Sequence, residues 1–162
     1  MTILKWFLLG LSFLFSLTAR AELITGTWRR DDGARFVMNL LFVCTGNTCR
    51  SPLAEVIGKA EARARGVDNV LCASAGTFAR IGQRAAAPGI DVAAAHGLDL
   101  VNHISQPLTQ ALLNWSDYLI GMDWPHIDRA RHLQSDLPVF LLTHFLPDSH
   151  AQYEIRVYSD AM

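Results

Sequence analysis

A thiol and a guanidinium with five small or polar residues between them are the groups in this chain best placed to do chemistry. They stand in the run Cys44-Thr45-Gly46-Asn47-Thr48-Cys49-Arg50, which Ser51 and Pro52 follow. A loop of this composition can curl around an anion, with its backbone N–H groups turned inward and a helix dipole behind them. A cysteine at a helix N-terminus beside an arginine is the setting that favours the nucleophilic thiolate. Under a bound phosphate monoester, such a sulfur is placed for in-line attack on phosphorus. The planar fork of Arg50 can hold two phosphoryl oxygens at once, which a lysine cannot do. Gly46 permits positive φ, and Asn47 is the next most tolerant type for a left-handed turn residue. Ser51 is expected to cap the helix that follows and to donate its hydroxyl to the sulfur. Cys44 and Arg50 are therefore candidate catalytic residues, and Thr45, Gly46, Asn47, Thr48, Cys49 and Ser51 candidate substrate-binding residues. No second Cys/His pair at zinc spacing lies nearby, so no metal and no cofactor is expected.

The flanking sequence supplies elements that would hold this loop. Leu40-Leu41-Phe42-Val43 reads as a buried parallel strand. A helix is expected to start with Ser51 as N-cap and Pro52 at its first position, to present Leu53, Val56, Ile57 and Ala60 on one face, and to end at Gly66. Further on, Asn69–Ser74 reads as a second strand, and a helix over Ile90–Ala95 is closed by Gly97. Pro107–Trp115 reads as another helix and Asp117–Met122 as a third strand. Asp123 caps a helix with Pro125 near its start that runs to about Leu133, and Val139–Phe145 reads as the fourth strand. Strands alternating with helices predict an α/β fold: a three-layer, doubly wound, four-stranded parallel sheet with the anion-binding loop after strand 1. Ligands bind such sheets at the carboxyl ends of the strands, where Cys44 sits. With 162 residues the chain suits one domain, placed at 38–162. Its 14 basic and 15 acidic residues nearly balance, and no basic run with interleaved aromatics points to nucleic acid. Three cysteines do not make a disulfide framework.

The string from Val43 to Pro52 closely resembles the signature of the low-molecular-weight protein tyrosine phosphatases. Ser74-Ala75-Gly76-Thr77 and the segment 97–105 resemble later parts of that family in the same order, so the likeness covers about Met38 to Phe145. It implies a protein tyrosine phosphatase that hydrolyses phosphomonoesters through a cysteinyl-phosphate. It also implies a support network in which Ser51, Ser74 and His103 hold Asn47, and a loop cysteine, Cys49, that can pair with the nucleophile on oxidation. The expected partner is a phosphotyrosyl protein or a small aryl phosphate.

The likeness fails in two places. The family carries an Asp-Pro-aromatic motif after the fourth strand whose aspartate protonates the leaving oxygen, and no Asp-Pro occurs between Pro147 and Asp160. Asp148 is the first choice for that acid, with Glu154 and Asp160 as the others. The family also continues with a final helix, apparently missing here. Its loss would leave an apolar sheet face uncovered, at about 25 cal/mol per Å2, and predicts self-association through that face. At the other end, residues 1–21 look like a signal peptide, with an apolar run from Trp6 to Leu17 and Ala19-Arg20-Ala21 as a cleavage site. The run is too short for a stable membrane span, and 22–37 reads as a linker. Translation from Met38 predicts a cytoplasmic protein, and use of the leader predicts export. Two other readings use the same loop. One is a pseudo-enzyme that binds phosphate or phosphotyrosine without turnover for want of the acid. The other is an arsenate reductase, which needs a mobile resolving thiol, whereas Cys72 falls within the second strand.

Overall fold

The computed structural model describes residues 37–145. The leader-like segment 1–21, nearly all of the linker, and Asp148, Glu154 and Asp160 lie outside the described residues.

The first strand is the axis of the molecule. β1 (Met38–Cys44) is joined on one side by β2 (Val70–Gly76) and on the other by β3 (Tyr118–Gly121), which in turn pairs with β4 (Val139–Leu141). All pairings are parallel, in the order β2-β1-β3-β4, with Cys44 opposite Gly76 and Val43 opposite both Ala75 and Gly121. Because β1 sits between two strands and two layers of helix, it can be apolar throughout. Alternate residues then split between faces. Leu40 and Phe42 point into one core with Leu53, Ala54 and Ile57 of α1 (Arg50–Ala64) and Ala93 of α2 (Ala87–Ala95). Leu41 and Val43 point into the other, with Leu113 of α3 (Gln110–Trp115) and Ile127 and Ala130 of α4 (Trp124–Leu133). The three-layer α/β fold with its loop after strand 1 is the expected one.

Several local expectations are corrected. α1 begins at Arg50, with Cys49 in the N-cap position and no side-chain cap. Ser51 does not cap it, because its hydroxyl is buried and turned toward the sheet. The buried face of α1 is also rotated: Ala54, Gly58 and Ala62 line up against the strands, while Val56 and Ala60 are only half-buried. A Cβ on Gly58 would lie 3.0 Å from the Cys72 sulfur, a tight contact that marks a close approach of helix to sheet. α3 starts at Gln110 rather than near Pro107, since Thr109 caps it by accepting from Leu112 N–H. β2 runs on to Gly76, and Pro107 bridges to that glycine. β4 is only three residues long, and Leu142–Phe145 turns into a short 3-10 helix. There, Phe140 lies among Tyr118, His144 and Phe145, with ring centroids 5.8–6.2 Å from its own. No helix among the described residues is long and apolar enough to cross a membrane.

Candidate active site

The loop 45–49 joins the carboxyl end of β1 to the first turn of α1, so Cys44 and Arg50 are placed by two elements that share one hydrophobic core. Its shape follows from where its carbonyls go. Those of Cys44 and Thr45 accept from the N–H groups of Thr77 and Phe78, that of Thr48 from Ala86 N–H, and that of Cys49 from Leu53 N–H, at 2.7–3.1 Å. The Asn47 carbonyl lies 2.7 Å from His103 Nε2. With the carbonyls committed to these surroundings, the amide N–H groups are what the loop can offer to an oxyanion.

Asn47 knots the loop to the body of the protein. It takes φ 53°, the left-handed conformation, while Gly46 does not, so the positive-φ position expected first at Gly46 falls one residue later. Its side chain is fully buried. Nδ2 donates to Ser51 Oγ and Ser74 Oγ, both at 2.9 Å, and Oδ1 accepts from Gln106 N–H at 2.9 Å. Ser74 in turn donates to Glu55 Oε2 at 2.6 Å, and Glu55 is paired with Lys59 one helical turn on. The structure thus brings together Cys44, Asn47, Arg50, Ser51, Ser74 and His103, with Thr45, Gly46, Thr48 and Cys49 on the loop between. Asp148 lies outside the described residues.

The sulfur of Cys44 receives Asn47 N–H at 3.2 Å and lies 3.0 Å from Ser51 Oγ. Ser51 Oγ also lies 3.2 Å from the Ala75 carbonyl. One guanidinium nitrogen of Arg50, Nη1, is buried with no hydrogen-bond partner among the described residues. A buried cationic donor with no partner among the described residues is what an anion site presents. Among the described residues no three or more His, Cys, Asp or Glu side chains cluster as metal ligands would.

Four participants escape a reading of the sequence. Glu55 bears on the loop through Ser74, and Gln106 through its backbone N–H to Asn47 Oδ1. Gly76 is needed because a Cβ there would meet the Thr45 carbonyl oxygen at 2.5 Å and Asn47 N at 2.9 Å. His126, on the first turn of α4, is 3 % exposed and places Nε2 3.0 Å from the Thr45 hydroxyl. Burial, and secondarily the charge of Arg50, push its pKa down to about 4, against the opposing pull of Asp123. The only advance signal was its place three residues after the cap Asp123. Cys72 is the other thiol beyond the loop. It is buried under α1, and burial pushes its pKa up to about 12, the opposite of what a resolving thiol requires.

Comparison with known proteins places this geometry. The family model for low-molecular-weight phosphotyrosine protein phosphatase matches residues 39–157. A protein-arginine-phosphatase of Bacillus subtilis (strain 168) is 36% identical over 115 residues, spanning 70% of this chain and 75% of that protein. Etp of Escherichia coli (strain K12), a low-molecular-weight protein-tyrosine-phosphatase, is 38% identical over 89 residues, 55% of this chain and 57% of its own length. Among solved structures, the YwlE arginine phosphatase in a cysteine-to-serine variant with a phosphorylated active-site serine aligns with a TM-score of 0.63. The identity is 34%, covering 67% of this chain and 71% of that one.

Proposed function

We propose, for a chain that belongs to the low-molecular-weight phosphotyrosine protein phosphatase family, that it hydrolyses phosphoproteins through a phosphocysteine formed on Cys44. The observation that carries this reading is Cys44 Sγ, within hydrogen-bond reach of Asn47 N–H and Ser51 Oγ at the end of β1, together with a buried Arg50 Nη1 that has no partner among the described residues. In the first step the sulfur attacks phosphorus and the phenolate leaves, taking a proton from an acid, for which Asp148 is the first choice. In the second, water attacks phosphorus, inorganic phosphate departs and the sulfur regains its electron pair. Arg50 offsets the charge on the equatorial oxygens throughout. Ser51 Oγ, 3.0 Å from the sulfur, supports it when it is the leaving group.

Phosphotyrosine suits the rim. Phe78 is 79% exposed and its N–H is bound to the Thr45 carbonyl. Trp124, 59% exposed, follows β3 at the same end of the sheet. Both offer aromatic surface for a phenyl ring. Phosphoarginine is the second reading, favoured by the 36% identity to a protein-arginine-phosphatase. The test compares hydrolysis of nitrophenyl phosphate, a phosphotyrosyl peptide and a phosphoarginyl peptide by the full chain and by Cys44→Ser. Turnover of nitrophenyl phosphate that disappears in the serine variant is expected, and the ratio of the two peptides selects the substrate class. Turnover that survives Cys44→Ser would sink the mechanism.

A further inference from the structure

The loop is braced by His103 at the Asn47 carbonyl, and a second imidazole, that of His126, reaches it at Thr45. His126 belongs to α4, which follows β3, and β1 and β3 flank the point where the chain turns from building outward on the β2 side to building outward on the β4 side. In open α/β sheets the crevice at such a switch point is where ligands sit. The one side-chain hydrogen bond of His126 among the described residues crosses this crevice, between Nε2 and the hydroxyl of Thr45, the residue directly after Cys44. Its other ring nitrogen, Nδ1, is buried and has no partner among the described residues, a property shared with Arg50 Nη1. Nothing in packing alone requires an imidazole there, since an apolar ring of similar size would fill the space without an unpaired buried nitrogen.

We propose that His126 is a positioning residue for the oxyanion: it holds the Thr45 hydroxyl, and so fixes the stretch of loop that carries the Thr45 and Gly46 amides. This rests on the phosphatase reading of the loop. Thr45 is then gripped at two points, its carbonyl by Phe78 N–H at 2.9 Å and its hydroxyl by His126 at 3.0 Å. Asn47 is held in turn by His103 at its carbonyl. The ring does this as a neutral group. Burial and the neighbouring Arg50 both disfavour its cation, and Asp123, whose carboxylate caps α4 through Trp124 N–H, opposes them incompletely. The site therefore keeps its positive charge on the guanidinium, which binds, and adds none on the brace.

The test reads inorganic phosphate affinity by calorimetric titration of the full chain, beside the thermal midpoint of each variant. His126→Leu and Thr45→Val should each weaken phosphate about tenfold, the loss of one buried hydrogen bond with a partner left unpaired. His126→Gln, whose amide reaches about as far as Nε2, should restore affinity to within about threefold of the parent. The double variant should bind no worse than His126→Leu, because both substitutions cut the same contact. A role in folding alone would lower the thermal midpoint of His126→Leu and leave phosphate affinity where it was, and that result overturns the proposal. Full additivity of the two losses overturns it as well. Should His126→Leu fail to fold, Thr45→Val decides, since unchanged phosphate affinity there is also a refutation. A parent chain that is folded yet binds no phosphate defeats the phosphatase reading itself, and is distinguished because it shows before any substitution is made.

Discussion

His126 shows how one side chain can couple the site to the stability of the fold. A histidine buried neutral has a folded pKa, about 4 here, below its unfolded value near 6.5. Between those two values the unfolded chain holds a proton on this ring and the folded chain does not, so stability rises with pH through the window and is lost as pH falls. The contribution is about 3 kcal/mol across that range. Urea unfolding of the parent at pH 4.5 and 7 should therefore differ by more than unfolding of His126→Gln, which has nothing to titrate there. Parallel pH dependences would refute it. Burial acts oppositely on the Cys72 thiol, pushing its pKa up, because it always disfavours the charged form. Asn47 illustrates a different economy: one buried amide, in the left-handed conformation that its type tolerates, meets Ser51, Ser74 and Gln106 at once. Its type and place were legible in the chain, whereas the Gln106 amide that completes its hydrogen bonding was not.

At the scale of the element, the loop depends on how closely β2 can approach it. The strand ends on Gly76, paired with Cys44, and the next two residues donate N–H groups to the Cys44 and Thr45 carbonyls. A side chain at 76 would collide with backbone, which cannot swing aside as a flexible side chain can. Gly76→Ala is predicted to lower phosphate affinity by about tenfold or more, with a stability loss of about 1–3 kcal/mol. Ala75→Gly, on the neighbouring residue of the same strand, is the comparison for loss of strand stability alone. Equal phosphate affinities in Gly76→Ala and the parent would refute it. α1 makes the related point that helical spacing of apolar residues did not identify its buried face. Leu53 and Ile57 are buried as expected. The face continues through Ala54, Gly58 and Ala62, small residues that let the helix settle onto Phe42 and Cys72. Smallness at a close contact leaves no hydrophobic signal to read.

At the scale of the molecule, one strand serves both cores and the site. Phe42 is fully buried in the core shared with α1, and Leu41 and Val43 are fully buried in the core shared with α3 and α4. Phe42→Ala should cost about 3–5 kcal/mol, read by denaturant unfolding, and should weaken the site as well, because β1 and α1 carry the two ends of the loop. A loss below about 1 kcal/mol would mean that the core collapses around the gap. The sequence alone determined the apolar central strand, the thiol and guanidinium spaced around an anion loop, the alternation of strand and helix, and the Asn47, Ser51, Ser74 and His103 set through its family likeness. These are signals of local pattern, and short-range geometry is enough to express them. Only the tertiary structure decided that Ser51 turns inward instead of capping α1, that Gly76 rather than Gly46 is the glycine the loop cannot replace, and that β4 gives way to a 3-10 turn under an aromatic cluster. It alone brought His126 across 81 positions of chain to Thr45. The physical reason is common to all of these: each is settled by which backbone or side chain lies within a few ångströms in space, and the parallel crossovers bring together residues whose separation along the chain carries no trace of that contact.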